Sequence, residues 1–258
     1  MLINIAITVK TNTIQSLDRA LNILEVLSDA DEMGLTDISK LVKLNKTTTY
    51  RIINALKDNG YIKQGKNKKY TLTFKMFRLG NRTVQKFDFM SEAKRFLIKL
   101  ASEVEQVIHL VIQDGSQILY VDKYTPSKKI TVMRSSVVGK RAPMYCTAAG
   151  KAILAYQTED RIKKVWDESE IIKYTSRTIT SYDTFIRDLK RIKKNGYSTE
   201  FEEYQLGVYC IGTSFYNLHG DIVGAISISV PLTDCQTKAY YVEKLMKYTK
   251  RISTLIEG

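Results

Sequence analysis

Three consecutive threonines, Thr47, Thr48 and Thr49, stand between Lys46 and the pair Tyr50–Arg51. Short hydroxyls, a phenol and a guanidinium in so few residues are donors suited to phosphate oxygens and base edges. Threonine costs a helix about a few tenths of a kcal/mol per residue, so the cluster calls for a reason. Just downstream, Lys63, Lys66, Lys68 and Lys69 fall within seven positions with no acid among them. Such a run is costly to pack against another protein face and natural beside phosphates. The whole chain has 258 residues and a net charge of +13. Thirteen cations and a single acid, Asp58, lie between Lys40 and Lys86, so that segment alone carries +12. Two plainer readings compete: a solvated lysine-rich face, and threonines that only cap a helix. An anionic membrane fits less well, because the helix has no exposed Trp, Phe or Leu to insert.

The elements that would position these groups can be read from periodicity. Leu17, Leu21, Leu24 and Leu27 recur at helical spacing, and a polar run ends at Gly34. A short helix follows, with Thr36 as its expected N-cap and Ile38, Leu41 and Val42 on one face. "KTTTYRIINALKDNG" is then a third helix. Its buried stripe is Thr49, Ile53 and Leu56 with Ile52 alongside, and Gly60 stops it. "YIKQGKNKKYTL" reads as a β-hairpin around Gly65 and Asn67. Helix, short helix, turn, helix, hairpin is the order of a winged helix-turn-helix. A recognition helix presents its N-terminal residues to the major groove of duplex DNA. That assigns Lys46, Thr47, Thr48, Tyr50 and Arg51 to the groove and Lys66, Lys68 and Lys69 of the wing to the backbone.

Residues 75 to 105 look helical, and beyond them the pattern changes. "VIHLVIQDGSQILYVDKY" reads as two strands about Asp114–Gly115, and "ITVMRSSVVGKRAPMYCTAAGKAILAYQ" as strand, loop and helix. A helix capped near Ser181 or Asp183 ends at Gly196; a hairpin turns near His219–Gly220; an amphipathic helix closes the chain. This is an α/β arrangement on a largely antiparallel sheet. In "GAISISV", Ser227 and Ser229 point to one face and Ile226 and Ile228 to the other. A buried serine pair needs partners, which a polar ligand would supply; the competing reading is a solvent-exposed face. The small residues of "CTAAGKAILA" allow close approach to backbone N–H groups, with Lys151 either near that end or solvated at the surface. Cys146, Cys210 and Cys235 form no CxxC pair, which fits a reducing cytoplasm and no disulfide framework. "MLINIAITVK" is too short for a signal peptide, and no stretch is long enough to span a bilayer.

Taken together these segments resemble the IclR family of bacterial transcriptional regulators over about residues 13 to 256. The resemblance rests on "SLDRALNILEVL", "TDISKLVKLNKTTTYRIINALKDNGYI" and "YTLTFKMFRLG". It continues in "GKRAPMYCTAAGKAILA", "NGYSTEFEEYQLGVYCIGTSFYN" and "GDIVGAISISVP". It implies an α+β chain: a winged helix-turn-helix over 12–74, a linker helix over 75–90, and a GAF-like α/β effector-binding domain over 91–258. It also implies homodimers, or tetramers as dimers of dimers, on a double-stranded DNA operator, without a cofactor. Carried over residue by residue, the effector contacts are Ala148, Ala149, Glu200, Cys210, Ser227 and Ser229. Glu200 stands where some members have aspartate, and Met144–Tyr145 where many have leucine and histidine, so ligand identity does not transfer. The effector expected is a small organic acid, a sugar acid or aromatic catabolite. Two other readings remain: a Cys210 nucleophile served by His109 or His219, and a metal-responsive regulator using Cys146, Cys210 and a histidine, since some members hold metal.

Overall fold

The computed structural model describes residues 14–84, 89–126, 136–232 and 238–256. The N-terminal "MLINIAITVK", the strand expected at "ITVMRS" and Cys235 lie outside the described residues. The chain divides into two compact units, Met1–Phe87 and Asp88–Gly258.

The first unit contains α1 (Gln15–Ser28), α2 (Leu35–Leu41), α3 (Lys46–Asp58), the hairpin β1 (Ile62–Gln64) and β2 (Tyr70–Leu72), and α4 (Phe74–Val84). Its core is Ile23, Leu24, Leu27, Ile38, Val42, Ile53, Leu56, Ile62 and Tyr70. Leu17 and Leu21, expected in the α1 stripe, are 53% and 49% exposed, and Ile23 replaces them. Leucine spacing alone marks a face, but a helix of four turns has several such faces, and packing against α3 selects one. Two further expectations for α2 fail. It starts at Leu35 with Gly34 as N-cap, so Thr36 is already helical, and Leu41 is largely exposed while Ile38 and Val42 are buried.

For α3 the stripe of Thr49, Ile53 and Leu56 is buried as expected. The cap is not a threonine: Asn45 Oδ1 accepts from Thr48 N at 2.8 Å, an arrangement worth ~1 kcal/mol. The far end closes with Gly60 at φ +73°. Gly60 N donates to Lys57 O and Tyr61 N to Leu56 O, the paired bonds of a Schellman motif. The Lys75 ammonium adds a bond to Asn59 O at 2.6 Å while lying over the Tyr61 ring.

Among its described residues the second unit carries a six-stranded antiparallel sheet in the order β5-β4-β3-β8-β7-β6. Its strands are β3 (Val107–Asp114), β4 (Gln117–Tyr124), β5 (Arg141–Pro143), β6 (Ser198–Phe201), β7 (Val208–Tyr216) and β8 (Ile222–Pro231). One face packs on α5 (Phe89–Val104) and α9 (Lys238–Ser253), with Ile226, Ile228 and Val230 in that core. The other packs on α6 (Ala148–Leu154), α7 (Glu159–Glu168) and α8 (Tyr182–Asn195), with Val111, Ile118 and Ala225. Alternation in β8 therefore sends its isoleucines one way and its serines the other. Both faces are covered, so Ser227 and Ser229 are 5% and 4% exposed, and the solvent-facing reading is excluded. α8 ends at Gly196, φ +80°, as expected. No described helix is long and apolar enough to cross a membrane.

Candidate functional site

Two assemblies of polar side chains stand out, one in each unit. In the first, the three threonines do different things. Thr49 is fully buried and its hydroxyl donates to Asn45 O at 2.9 Å, so it is structural. Thr47 is exposed, and Thr48 is half-buried with its N–H held by Asn45. Lys46, Tyr50 and Arg51 are exposed beside them on the first turns of α3. The hairpin pairs Ile62 with Leu72 and Gln64 with Tyr70, and Tyr70 bridges back to Met33. Lys66, Lys68 and Lys69 all project from its exposed turn. They are not equivalent. Glu32, outside the hairpin in sequence, accepts from Lys69 Nζ at 2.9 Å and from Asn67 Nδ2. The Asn67 bond first, then Lys69, holds the Glu32 carboxyl below its usual range. Among the described residues Lys66 and Lys68 have no such acid. Spacing within the hairpin could not reveal a partner some 35 residues upstream.

In the second unit, register brings the polar side chains together. Glu200 lies opposite Cys210, and Cys210 opposite Ser229. In the neighbouring row Gly212 lies opposite Ser227, and Ser227 opposite His109. Directly opposed residues share a face, so both rows look toward α6. Gly212 has a steric reason: a Cβ there would stand 2.8 Å from the carbonyl carbon and oxygen of Ala148. The start of α6 is thereby seated on the sheet, and Ser198 Oγ ties it with a 2.6 Å bond to Ala148 O. Between α6 and the sheet is a small cavity, with about 40 Å³ open to the centre of a water molecule. All six positions carried over from the family line it: Ala148, Ala149, Glu200, Cys210, Ser227 and Ser229. So do His109, Tyr120, Ser136, Thr147 and Tyr204, which sequence reasoning did not place there.

Glu200 is buried, and its Oε1 turns back to accept from Glu203 N at 2.5 Å and Tyr204 N at 3.0 Å. Burial raises its pKa to about 7, against the opposing pull of the Tyr204 N–H. Tyr145 is also buried but serves the fold, exchanging hydrogen bonds with Ile172 N and O. Lys151 was expected near the α6 start or in solvent. It is instead 0% exposed, bonded to Glu203 at 2.6 Å and Asp188 at 3.0 Å. An α6 otherwise built of small and apolar residues gives no hint that its lysine meets acids from α8 and from the loop after β6.

The geometry does not favour thiol chemistry. Burial, then the Glu200 charge, pushes the Cys210 thiol well above its usual pKa, whereas a nucleophile needs a depressed one. His109 reaches Cys210 only through Ser229, at 3.5 and 3.2 Å. His219 sits exposed in the β7–β8 turn. Cys146 is buried and its thiol likewise raised by burial. Among the described residues no three His, Cys, Asp or Glu side chains gather to hold a metal ion.

Comparison with known proteins covers both units. Residues 16–66 match the IclR helix-turn-helix domain, and residues 81–254 match the C-terminal domain of bacterial transcriptional regulator IclR. The chain is 31% identical over 244 residues to the HTH-type transcriptional regulator KdgR of Escherichia coli, covering 94% of this chain and 90% of that one. The crystal structure of Thermotoga maritima IclR superposes with a TM-score of 0.76 at 25% identity, over 93% of this chain and 98% of that one. An IclR homologue from Microbacterium hydrocarbonoxydans, solved in complex with 4-hydroxybenzoate, gives 0.82 at 18% identity, over 92% and 97%. The chain belongs to the IclR family of DNA-binding bacterial transcriptional regulators.

Proposed function

We propose that a small organic acid enters the cavity between α6 and the sheet and thereby changes operator binding by a homodimer or dimer of dimers. The observation that carries this is the convergence of Ala148, Ala149, Glu200, Cys210, Ser227 and Ser229 on one cavity from four separate elements. The complex of the Microbacterium homologue with 4-hydroxybenzoate is compatible with an acid in this fold. Such a ligand acts only by binding the DNA-competent and DNA-incompetent states with different affinity. The test is a thermal-shift screen of the purified protein with small carboxylates, because a ligand specific to the folded state raises the melting temperature. Acids that do so are then added to an operator-binding titration. If no carboxylate shifts the melting temperature, the effector reading is wrong. Ser227→Ala and Ser229→Ala should weaken the response to an active acid about 5- to 100-fold, each removing a buried hydrogen-bond partner. Ligand-free operator binding should persist, and its loss in both variants would assign the serines to folding.

On the DNA side, Lys46, Thr47, Thr48, Tyr50 and Arg51 face the major groove and Lys66, Lys68 and Lys69 the adjoining phosphates. Arg51→Ala should cost ~1–3 kcal/mol on the operator and relax base preference. Unchanged binding would mean that another face of α3 meets the groove. Lys68→Ala should weaken binding to every sequence and lower the slope of log K against log salt by about 0.9. Lys69→Ala should do so less, because Glu32 already shares its charge. Equal slopes for the two variants would remove that distinction.

A further inference from the structure

Arg19 lies on α1, outside the Lys40–Lys86 block that holds the excess positive charge, so counting charges along the chain does not single it out. It stands one helical turn before Ile23, which is fully buried in the core of the first unit. A helix that served packing alone would continue that face with an apolar residue over the seam between α1 and α3. Arg19 is instead half-buried, and with Ser16 it lines a groove whose opposite side is α3, with Thr48 and Arg51. Ala20 and Ile52 line it too and pack on the core beneath. No acid lines this groove. Among the described residues neither the Arg19 nor the Arg51 guanidinium has an ion pair, a hydrogen bond or an aromatic ring against it. Two cations on one groove repel each other unless an anion joins them, and a partly desolvated guanidinium without an acceptor forgoes the hydrogen bonds that water gave it.

We infer that Arg19 is a further DNA contact: it binds a backbone phosphate of the duplex whose bases Arg51 meets. This rests on the reading of α3 as the helix in the major groove. A guanidinium presents its N–H donors in a planar fork that matches two phosphate oxygens. Such a contact fixes the register of a protein on the duplex and carries no sequence information itself. Arg19 thereby anchors α1 to the strand while Arg51 reads base edges from α3, so one groove joins a positioning contact to a specificity contact. The competing role is packing alone, with the arginine stem covering apolar surface and its head in water.

The test compares the full-length protein with Arg19→Met, which keeps an apolar stem, and Arg19→Lys, which keeps the charge. Binding is followed by fluorescence anisotropy on a labelled duplex of mixed sequence over a series of salt concentrations. Each protein is also taken through selection from a randomised duplex pool. Arg19→Met should bind the mixed duplex about tenfold more weakly, the loss of one charge-assisted bond, and its slope of log K against log salt should fall by about 0.9. Arg19→Lys should keep the slope and most of the affinity. Both variants should select the same sequence as the unaltered protein, whereas Arg51→Ala should select a relaxed one. Unaltered affinity and slope in Arg19→Met overturn the inference. Weaker binding by both variants at an unaltered slope, with a lower melting temperature, assigns Arg19 to packing and overturns it as well. A changed selected sequence in Arg19→Met overturns it by making Arg19 a base contact. Should the methionine variant not fold, Arg19→Gln takes its place in every comparison. If Arg51→Ala changes neither affinity nor selection, the reading of α3 fails. If Arg51→Ala relaxes selection while Arg19→Met binds as before, only the role of Arg19 is lost.

Discussion

Replacing Lys151 by methionine is expected to destabilise the C-terminal unit by ~3–5 kcal/mol at neutral pH, the usual cost of removing one partner from a buried ion pair. For a unit of this size that is a fall of ~6–20 °C in melting temperature. The chain of causes is local. Lys151 is on α6 with no exposed surface, and its ammonium bonds Glu203 and Asp188. Burial opposes its charge, but the two carboxylates outweigh that and its pKa is raised. The two acids respond differently to the same cation. Asp188 ends below its usual pKa, because Lys151 first and then Arg191, which bonds it at 2.6 Å, together outweigh its burial. Glu203 ends above, because burial dominates and no donor among the described residues meets its Oε2. Methionine fills the space of the lysine stem and leaves two carboxylates without their shared cation. Their folded-state pKa values then rise, so the variant's deficit should be largest near pH 8 and shrink toward pH 5. Adding Glu203→Gln should recover part of the loss, a coupling that a double-mutant cycle measures. A deficit within about 0.5 kcal/mol, as for an ordinary surface lysine, would contradict the buried triad.

Glu200 should make the protein's stability fall as pH rises from 5 to 8, relative to a Glu200→Gln variant. Its folded pKa is raised to about 7 from 4.5, chiefly by burial. Between those values the folded state holds a proton that the unfolded chain has released. The stabilisation is thus complete below about 4.5, declines as pH climbs to about 7, and is constant beyond; the full change is ~3 kcal/mol. His109 acts in the opposite sense, since its folded pKa is lowered to about 3 and stability is lost as pH falls below 6.5. The comparison must therefore be a difference between wild type and the glutamine variant, by urea or thermal midpoints at several pH values. A flat difference would show that Glu200 is solvated or ionised throughout. The same titration bears on the ligand: an acid meets a neutral Glu200 below pH 7 and a charged one above, so its affinity should drop from pH 6 to 8.

Several features were legible in the amino-acid order because local chemistry decides them. The α3 stripe of Thr49, Ile53 and Leu56 follows from 3.6-residue periodicity, and its stop at Gly60 from a backbone angle that glycine adopts without strain. Strand alternation separated Ser227 and Ser229 from Ile226 and Ile228 before any fold was known. The concentration of positive charge between Lys40 and Lys86 needed only counting. Asn45, immediately before Lys46, caps α3 in place of a threonine. Other features belong to tertiary structure alone. Alternation names two faces but not which helices cover them, and strand register, set by partners 10 to 118 residues away, put Glu200 beside Cys210 and Ser227 beside His109. Whether Leu17 is buried, Lys151 ionised in the core or Lys69 shared with Glu32 depends on neighbours that spacing cannot supply. The sequence by itself determined the elements, their faces and where the charge lies, because those rest on each residue's own propensity and near neighbours. Only the tertiary structure decided which polar groups meet in the cavity, because burial and hydrogen-bond partners belong to pairs of residues far apart in the chain.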